Sequence, residues 1–206
     1  MSATAGPGTD TGLWGLSLAQ FREGIANRAT PGCGAAAAVA ADFGLALVVK
    51  ALRVSADREG NGERTELLRD ARALLGRPGA FADDDVQAFS GYLQAGRDGS
   101  EQLQAASRQA CAVPLATAHA CVEALVIAER AWPQVLPMLR CDVQAGVLLI
   151  GAAATAVLLN VDADLGGLDD PAARAEVRAA RQRLQGQVDR RLARLAELAQ
   201  GAARHC

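Results

Sequence analysis

Three short stretches hold the residues best suited to chemistry. The first is Thr30-Pro31-Gly32-Cys33-Gly34, a turn-forming run that leads straight into an apolar segment. Glycines there let a ligand or another helix approach the backbone, and the free N–H groups of a helix start can hold an anion or a carbonyl oxygen. The same residues also suit a plain tight turn with close packing. The second is Arg140-Cys141-Asp142-Val143-Gln144, ahead of another apolar segment. Asp142 is placed to cap that helix, and a carboxylate at the mouth of a pocket also suits a base or the counter-charge of a cationic substrate. Cys141 reads as a packing residue, since no histidine accompanies it. The third is Asp83-Asp84-Asp85, acids at what reads as a helix start, where they complement the macrodipole. Such a run is ordinarily solvated, and only one of the three needs to face inward to matter.

The elements that must position these residues read as helices throughout. Ser17 with Gln20 three residues on is a capping-box signature, and Thr30-Pro31-Gly32 ends the short helix that it opens. A second helix runs from about Cys33 into the region of Arg53 and Arg58. Residues 65–75 are amphipathic and stop at Gly76-Arg77-Pro78-Gly79; a further helix is expected to start at the acids 83–85. Residues 101–131 keep a helical pattern around Pro114, which is expected to kink or restart the helix. Trp132-Pro133 and Pro137 mark an irregular connection. Asp170-Pro171 is an N-cap followed by a first-turn proline, opening a long Arg-rich helix over 172–203. No strand-period segment and no repeat of 20–50 residues appears.

Residues 143–161 approach the roughly 20 apolar residues of a membrane span. They hold Gln144, Thr155 and Asn160, are rich in Ala and Gly, and lack a flanking basic cluster. They read instead as a helix buried on all sides in a bundle or dimer. The fold class is therefore all-α: an antiparallel helical bundle with two buried Ala-rich central helices, paired as a homodimer. Residues 1–15 read as a disordered lead-in and 16–206 as one helical domain.

Composition narrows the function. Half of the 206 residues are hydrophobic and only 3% aromatic, so Ala, Leu and Val fill the core. The net charge of −2 with interspersed signs excludes a broad basic field for nucleic acid and a polybasic membrane patch. The cysteines at 33, 111, 121, 141 and 206 are odd in number, with no Cys-x-x-Cys pair, and there are 2 histidines. Neither a disulfide framework nor a metal site is indicated. Reduced thiols and the absence of a signal-peptide pattern point to the cytoplasm. Phosphate-binding loops, dinucleotide fingerprints and nucleophile elbows are absent.

Taken in order, the segments resemble the cyclodeaminase/cyclohydrolase family. The first stretch is similar to the family's "TPGGG" followed by an Ala-rich helix, and "DDDVQAFSGYLQA" to its "DxxAF" segment. "CAVPLATAHACVEAL" resembles "xVPLxxA", and "RCDVQAGVLLIGAAATAVLLNVDADLGGL" resembles "SDxxVAALLxxAAxxxALLNVxxNL". The coverage is roughly residues 16–203. The resemblance implies an all-helical dimer, a folate or related pterin substrate, and no metal or nucleotide cofactor. It implies that Thr30, Pro31, Gly32 and Gly34 border the substrate cleft, with Asp84 or Asp85 retained. Asn160 and the backbone of residues 32–34 would orient the pterin, and Asp142 would be the catalytic carboxylate.

The sequence departs from the family pattern at several points. Cys33 stands at a glycine position, Ala35 and Cys141 at serine positions, and Asp164 at an asparagine position. A Lys-rich "GKKKY" segment is missing, with Lys50, Arg53 or Arg58 as the available substitutes for holding an acidic folate tail. The implied activity is hydrolysis of 5,10-methenyltetrahydrofolate to 10-formyltetrahydrofolate, ahead of formiminotetrahydrofolate cyclodeamination because no formiminotransferase domain accompanies this one. A catalytically silent pterin-binding or interaction protein of the same fold is the competing expectation, favoured by the missing lysines.

Overall fold

The structure, a computed structural model, describes residues 12–58, 60–98 and 100–203. Among the described residues seven α-helices follow one another: α1 (Leu18–Asn27), α2 (Cys33–Arg58), α3 (Gly62–Leu74), α4 (Arg77–Asp98), α5 (Ser100–Ala131), α6 (Arg140–Asp164) and α7 (Pro171–Ala203). No strand occurs among the described residues. The caps expected from Ser17 and Asp170 form, and Asn61 adds one that was not expected. Gln20 N–H donates to Ser17 Oγ and Ser17 N–H donates to Gln20 Oε1, closing the capping box of α1. Asn61 caps α3, and Asp170 Oδ1 accepts from Ala172 N–H at 2.9 Å at the start of α7.

α2 and α6 run antiparallel. Cys33 meets Asn160 at one end, Gly44 meets Gly146 midway, and Lys50 meets Asp142 at the other end. At the midpoint the two backbones all but touch. A Cβ on Gly146 would lie 2.5 Å from the Gly44 carbonyl oxygen, and one on Gly44 would lie 2.7 Å from that of Gly146. This is the physical reason for the alanine and glycine content of both helices, because only small side chains let helix axes approach so closely. Leu45, Val48, Leu52, Ile150, Val157 and Leu158 are fully buried around this contact, in one core with Leu67 of α3, Leu125 of α5 and Leu184 of α7.

Several boundaries differ from those read in the sequence. α4 begins at Arg77, not at the acids 83–85. Gly76, at φ +89°, reverses the chain, and its N–H donates to the buried Asp42 Oδ1 at 2.7 Å. Pro78 then sits in the first turn of α4, where no helical donor is missed. The three acids thus lie inside the helix. Pro114 neither stops nor restarts α5, which is continuous through it. The packing of α5 against α2, α3, α4, α6 and α7 sustains the helix, at the cost of the one hydrogen bond that Ala110 C=O would receive. Residues 1–11 of the expected disordered lead-in lie outside the described residues. From there on the chain is docked: Leu13 N–H donates to Asp83 Oδ1 at 2.7 Å, Trp14 Nε1–H donates to the Gly79 carbonyl, and the Trp14 ring packs edge-on against Phe43.

Within one chain, α2 and α6 are not buried on all sides. Cys141, Ala145, Leu148, Ala152, Thr155 and Leu159 form an exposed stripe with alternating spacings of four and three. Leu148 is 64% and Leu159 59% exposed, and Phe43 of α2 is 42% exposed. Three segments, Cys33–Arg58, Gln102–Gln134 and Pro137–Gly167, are long and apolar enough to cross a membrane by length and composition.

The Gly44–Gly146 contact makes a direct prediction. Gly146→Val places a branched side chain against a backbone oxygen that cannot move aside. It should destabilise the fold by about 2 kcal/mol or more, in the upper range of overpacking, as read from urea denaturation.

Candidate functional site

The Ala35 amide at the start of α2 faces a carboxylate on α4. Asp85 Oδ2 accepts from Ala35 N–H at 3.0 Å, and the Asp85 carboxylate also takes a hydrogen bond from the Asn160 side chain of α6. Cys33 Sγ–H donates to Asn160 Oδ1, so the amide links the thiol and the carboxylate. Gly34 makes this convergence possible. A Cβ there would lie 2.0 Å from Asp85 Oδ1 and 2.6 Å from Asn160 Nδ2.

These groups form one wall of a cavity of about 280 Å³. Thr30, Gly32 and Cys33 come from the turn and α2; Asp85, Phe89 and Tyr92 come from one face of α4. Asn160 and Asp164, one turn apart on α6, close the third side, with Ala110 of α5. Ala110 is the residue whose carbonyl Pro114 leaves without its helical donor. Among the described residues, no lysine, arginine or histidine lines the cavity.

Burial dominates the electrostatics. It raises the Asp85 carboxyl above the usual carboxylate range, against the opposing pull of the Ala35 N–H and the Asn160 side chain. Asp164 is pushed up to about 6, first by burial and then by the charge of Asp85. The Cys111 thiol, on α5, is raised to about 11 by burial and by the charge of Asp164. The cavity thus has two acids whose ionisations oppose one another, beside an exposed Cys33 thiol. Such a site suits proton transfer at neutral pH and a ligand carrying positive charge or N–H donors.

The sequence-predicted residues divide accordingly. Thr30, Gly32, Asp85 and Asn160 line the cavity together, and Gly34 stands behind them as the spacer. Pro31, whose peptide with Thr30 is cis, is buried and turned against Gly24 of α1. Asp84 faces a separate shallow pocket with Gln87 and Gly91, and Asp83 holds the Leu13 amide. Asp142 neither caps α6 nor enters the cavity of its own chain. The N-cap position is Leu139, and Asp142 Oδ2 lies 3.0 Å from Lys50 Nζ. About 27 Å of helix, at roughly 1.5 Å per residue, separates it from Asn160. The same antiparallel geometry carries Lys50, Arg53 and Arg58 away from the cavity along α2. Phe89, Tyr92 and Asp164 were not expected at the site. Their signal was helical spacing, since 85, 89 and 92 share one face, as do 160 and 164.

The profile of the family described as Formiminotransferase-cyclodeaminase matches residues 17–183. The chain belongs to this family. A methenyltetrahydrofolate cyclohydrolase from Methylorubrum extorquens is 32% identical over 177 residues, covering 76% of this chain and 82% of that protein. The crystal structure of a formiminotetrahydrofolate cyclodeaminase from Thermotoga maritima matches with a TM-score of 0.86, covering 91% of this chain and 98% of that one. Its sequence identity is 20%, so that likeness speaks for the fold. Every cavity residue falls within the span matched by the family profile.

Gly34→Ala should therefore disturb the cavity selectively. The new Cβ must displace Asp85 or Asn160, orphaning the Ala35 N–H at a cost of about 1–3 kcal/mol. Gly62→Ala, in the first turn of α3 with open space around it, should change stability by less than about 0.5 kcal/mol. Chemical denaturation of the two variants gives the comparison.

Proposed function

We propose that the cavity binds the pterin ring of a tetrahydrofolate and that the protein hydrolyses 5,10-methenyltetrahydrofolate to 10-formyltetrahydrofolate. The observation that carries this reading is the anchored Asp85 carboxylate on the wall of a cavity with no basic residue among the described ones. The substrate of that reaction carries a delocalised positive charge on its methenyl bridge, and a fixed anion in a partly desolvated site stabilises it. The 32% identical relative named as a cyclohydrolase supports the choice of reaction. At about 280 Å³ the cavity lies near the lower end of ligand sites, roughly 300–1,000 Å³. That volume suits the bicyclic ring, with the remainder of the folate outside. Phe89 and Tyr92 offer aromatic surface to the ring, and Thr30 and the Gly32 backbone offer polar contacts at its edge.

Hydrolysis needs a base for water, a negative group near the cation and a route for a proton to the departing ring nitrogen. Asp85 supplies the negative group, and acid–base groups alone suffice for the rest. Formiminotetrahydrofolate cyclodeamination is the second reading, favoured by the family match and by the fold of the Thermotoga maritima structure. In it the same carboxylates would protonate the leaving ammonia. The proposed setting is the cytoplasm, since Cys33, Cys111, Cys121 and Cys141 are all free thiols.

The proposed assembly is a homodimer, in which the exposed stripe on α6 and Phe43 of α2 meet their counterparts in a second copy. The support is the 3.5-residue spacing of that stripe, the period of a helix–helix seam. Light scattering at micromolar concentration should return twice the chain mass, and Leu148→Asp should return the monomer mass.

The activity is tested by following the absorbance of methenyltetrahydrofolate. The protein should accelerate its decay above the spontaneous rate, and Asp85→Asn should lower turnover at least tenfold. Asp142, the carboxylate expected from the sequence, is proposed to serve the Lys50 tie instead, so Asp142→Asn should keep turnover within about twofold. A loss of roughly tenfold or more in Asp142→Asn, in the range of a lost general base, would return that role to Asp142, supplied to the cavity by the second subunit.

A further inference from the structure

Asp164 is the cavity's unexplained group. It lines the cavity on α6, one turn beyond Asn160, and is half-buried. Asp85 is held by the Ala35 amide and Asn160, and Asn160 by Cys33 as well. Asp164 accepts no hydrogen bond from any described residue. Its neighbour Asp162 is already paired with Arg181 of α7 at 2.8 Å. The groups facing it are Asp85 and Tyr92 of α4, Cys111 of α5 and Cys33 of α2. Arg174 of the following helix donates to the Asp169 carbonyl. A carboxylate with no protein partner, next to one that is fully engaged, is free to exchange a proton with whatever occupies the cavity.

We infer that Asp164 is the proton-transferring carboxylate of the cavity and Asp85 its fixed anionic partner, a division of labour that rests on the hydrolytic reading above. Asp164 takes a proton from water as the water oxygen bonds to the methenyl carbon, and the C=N π pair returns to nitrogen. The bond from that carbon to N5 then breaks with its electron pair staying on N5. The added hydroxyl becomes the formyl carbonyl, losing its proton to solvent, and Asp164 delivers the proton it holds to N5. One water is consumed, one proton is released, and nothing is oxidised or reduced. Burial, and after it the charge of Asp85, raises this carboxyl to about 6, where both taking and giving a proton are accessible.

The test compares wild type, Asp164→Asn and Asp164→Glu over pH 5–8.5 with methenyltetrahydrofolate as the probe, with rates corrected for spontaneous hydrolysis. Wild-type kcat should rise through an acid limb near pH 6. Asp164→Asn should lose the limb and at least tenfold in kcat with KM changed less than about threefold, and Asp164→Glu should recover part of the rate. The fold is checked separately. Because the folded-state pKa of Asp164 lies above its unfolded value, ionising it costs stability as pH rises from about 4 to about 6. Asp164→Asn should therefore melt higher than wild type at pH 7.5 and at the same temperature at pH 4. An active wild type whose Asp164→Asn variant keeps kcat and the acid limb overturns the role of Asp164 alone. A wild type with no turnover overturns the hydrolytic reading and this role with it. Equal melting temperatures of wild type and Asp164→Asn at pH 7.5 overturn the perturbed ionisation on which the role depends.

Discussion

The backbone contact between Gly44 and Gly146 is the constraint on which the other features depend. It locks α2 and α6 at a separation that only small side chains permit, and in a single antiparallel register. That register decides which residues meet at each end. At one end the start of α2 faces Asn160 and Asp164; at the other, Lys50 faces Asp142. Slipping either helix by a turn, about 5.4 Å, would break both ends at once. The alanines on either side are the residues that such a contact demands, and the larger Leu, Ile and Val side chains fill the space where the helices diverge toward α3, α5 and α7.

The cavity end carries a second, smaller constraint of the same kind. Gly34 omits the Cβ that would exclude Asp85. The carboxylate can then accept from the Ala35 amide, one of the donors left free at a helix start, and complement the dipole of α2. Asp42 does the equivalent for α4 from the middle of α2, with its buried carboxylate accepting from the Gly76 and Gly79 amides. Two acids on elements packed together thus anchor helix starts, one for architecture and one at the site.

Two of the positions that depart from the pattern read in the sequence, Cys33 and Asp164, line this cavity. Cys33 replaces a glycine and puts a thiol on Asn160, and Asp164 replaces an asparagine and sets a second carboxylate beside Asp85. Both add acidic or donor groups. Among the described residues no basic side chain lines the cavity, and Lys50 is committed to Asp142. Among the described residues, the cavity wall is therefore acidic and aromatic in its polar and ring groups, without a cation.

The sequence by itself determined the helical class, most helix boundaries and two caps, because these depend on local propensity, turn residues and side chains within a few positions. It also marked Thr30, Gly32, Gly34, Asp85 and Asn160, since glycine-rich turns and isolated polar residues beside apolar runs stand out in one dimension. Tertiary structure alone decided which acid of the 83–85 run enters the cavity. Helix rotation sends Asp83 to Leu13, Asp84 to another face and Asp85 to the Ala35 amide. It also decided that α4 starts at Arg77, through a carboxylate 34 positions away, and that Pro114 is carried inside α5 by packing on its neighbours. Above all, it separated Asp142 from the glycine turn of its own chain. Both precede apolar helices and look equivalent along the chain, but antiparallel packing places the starts of two such helices at opposite ends.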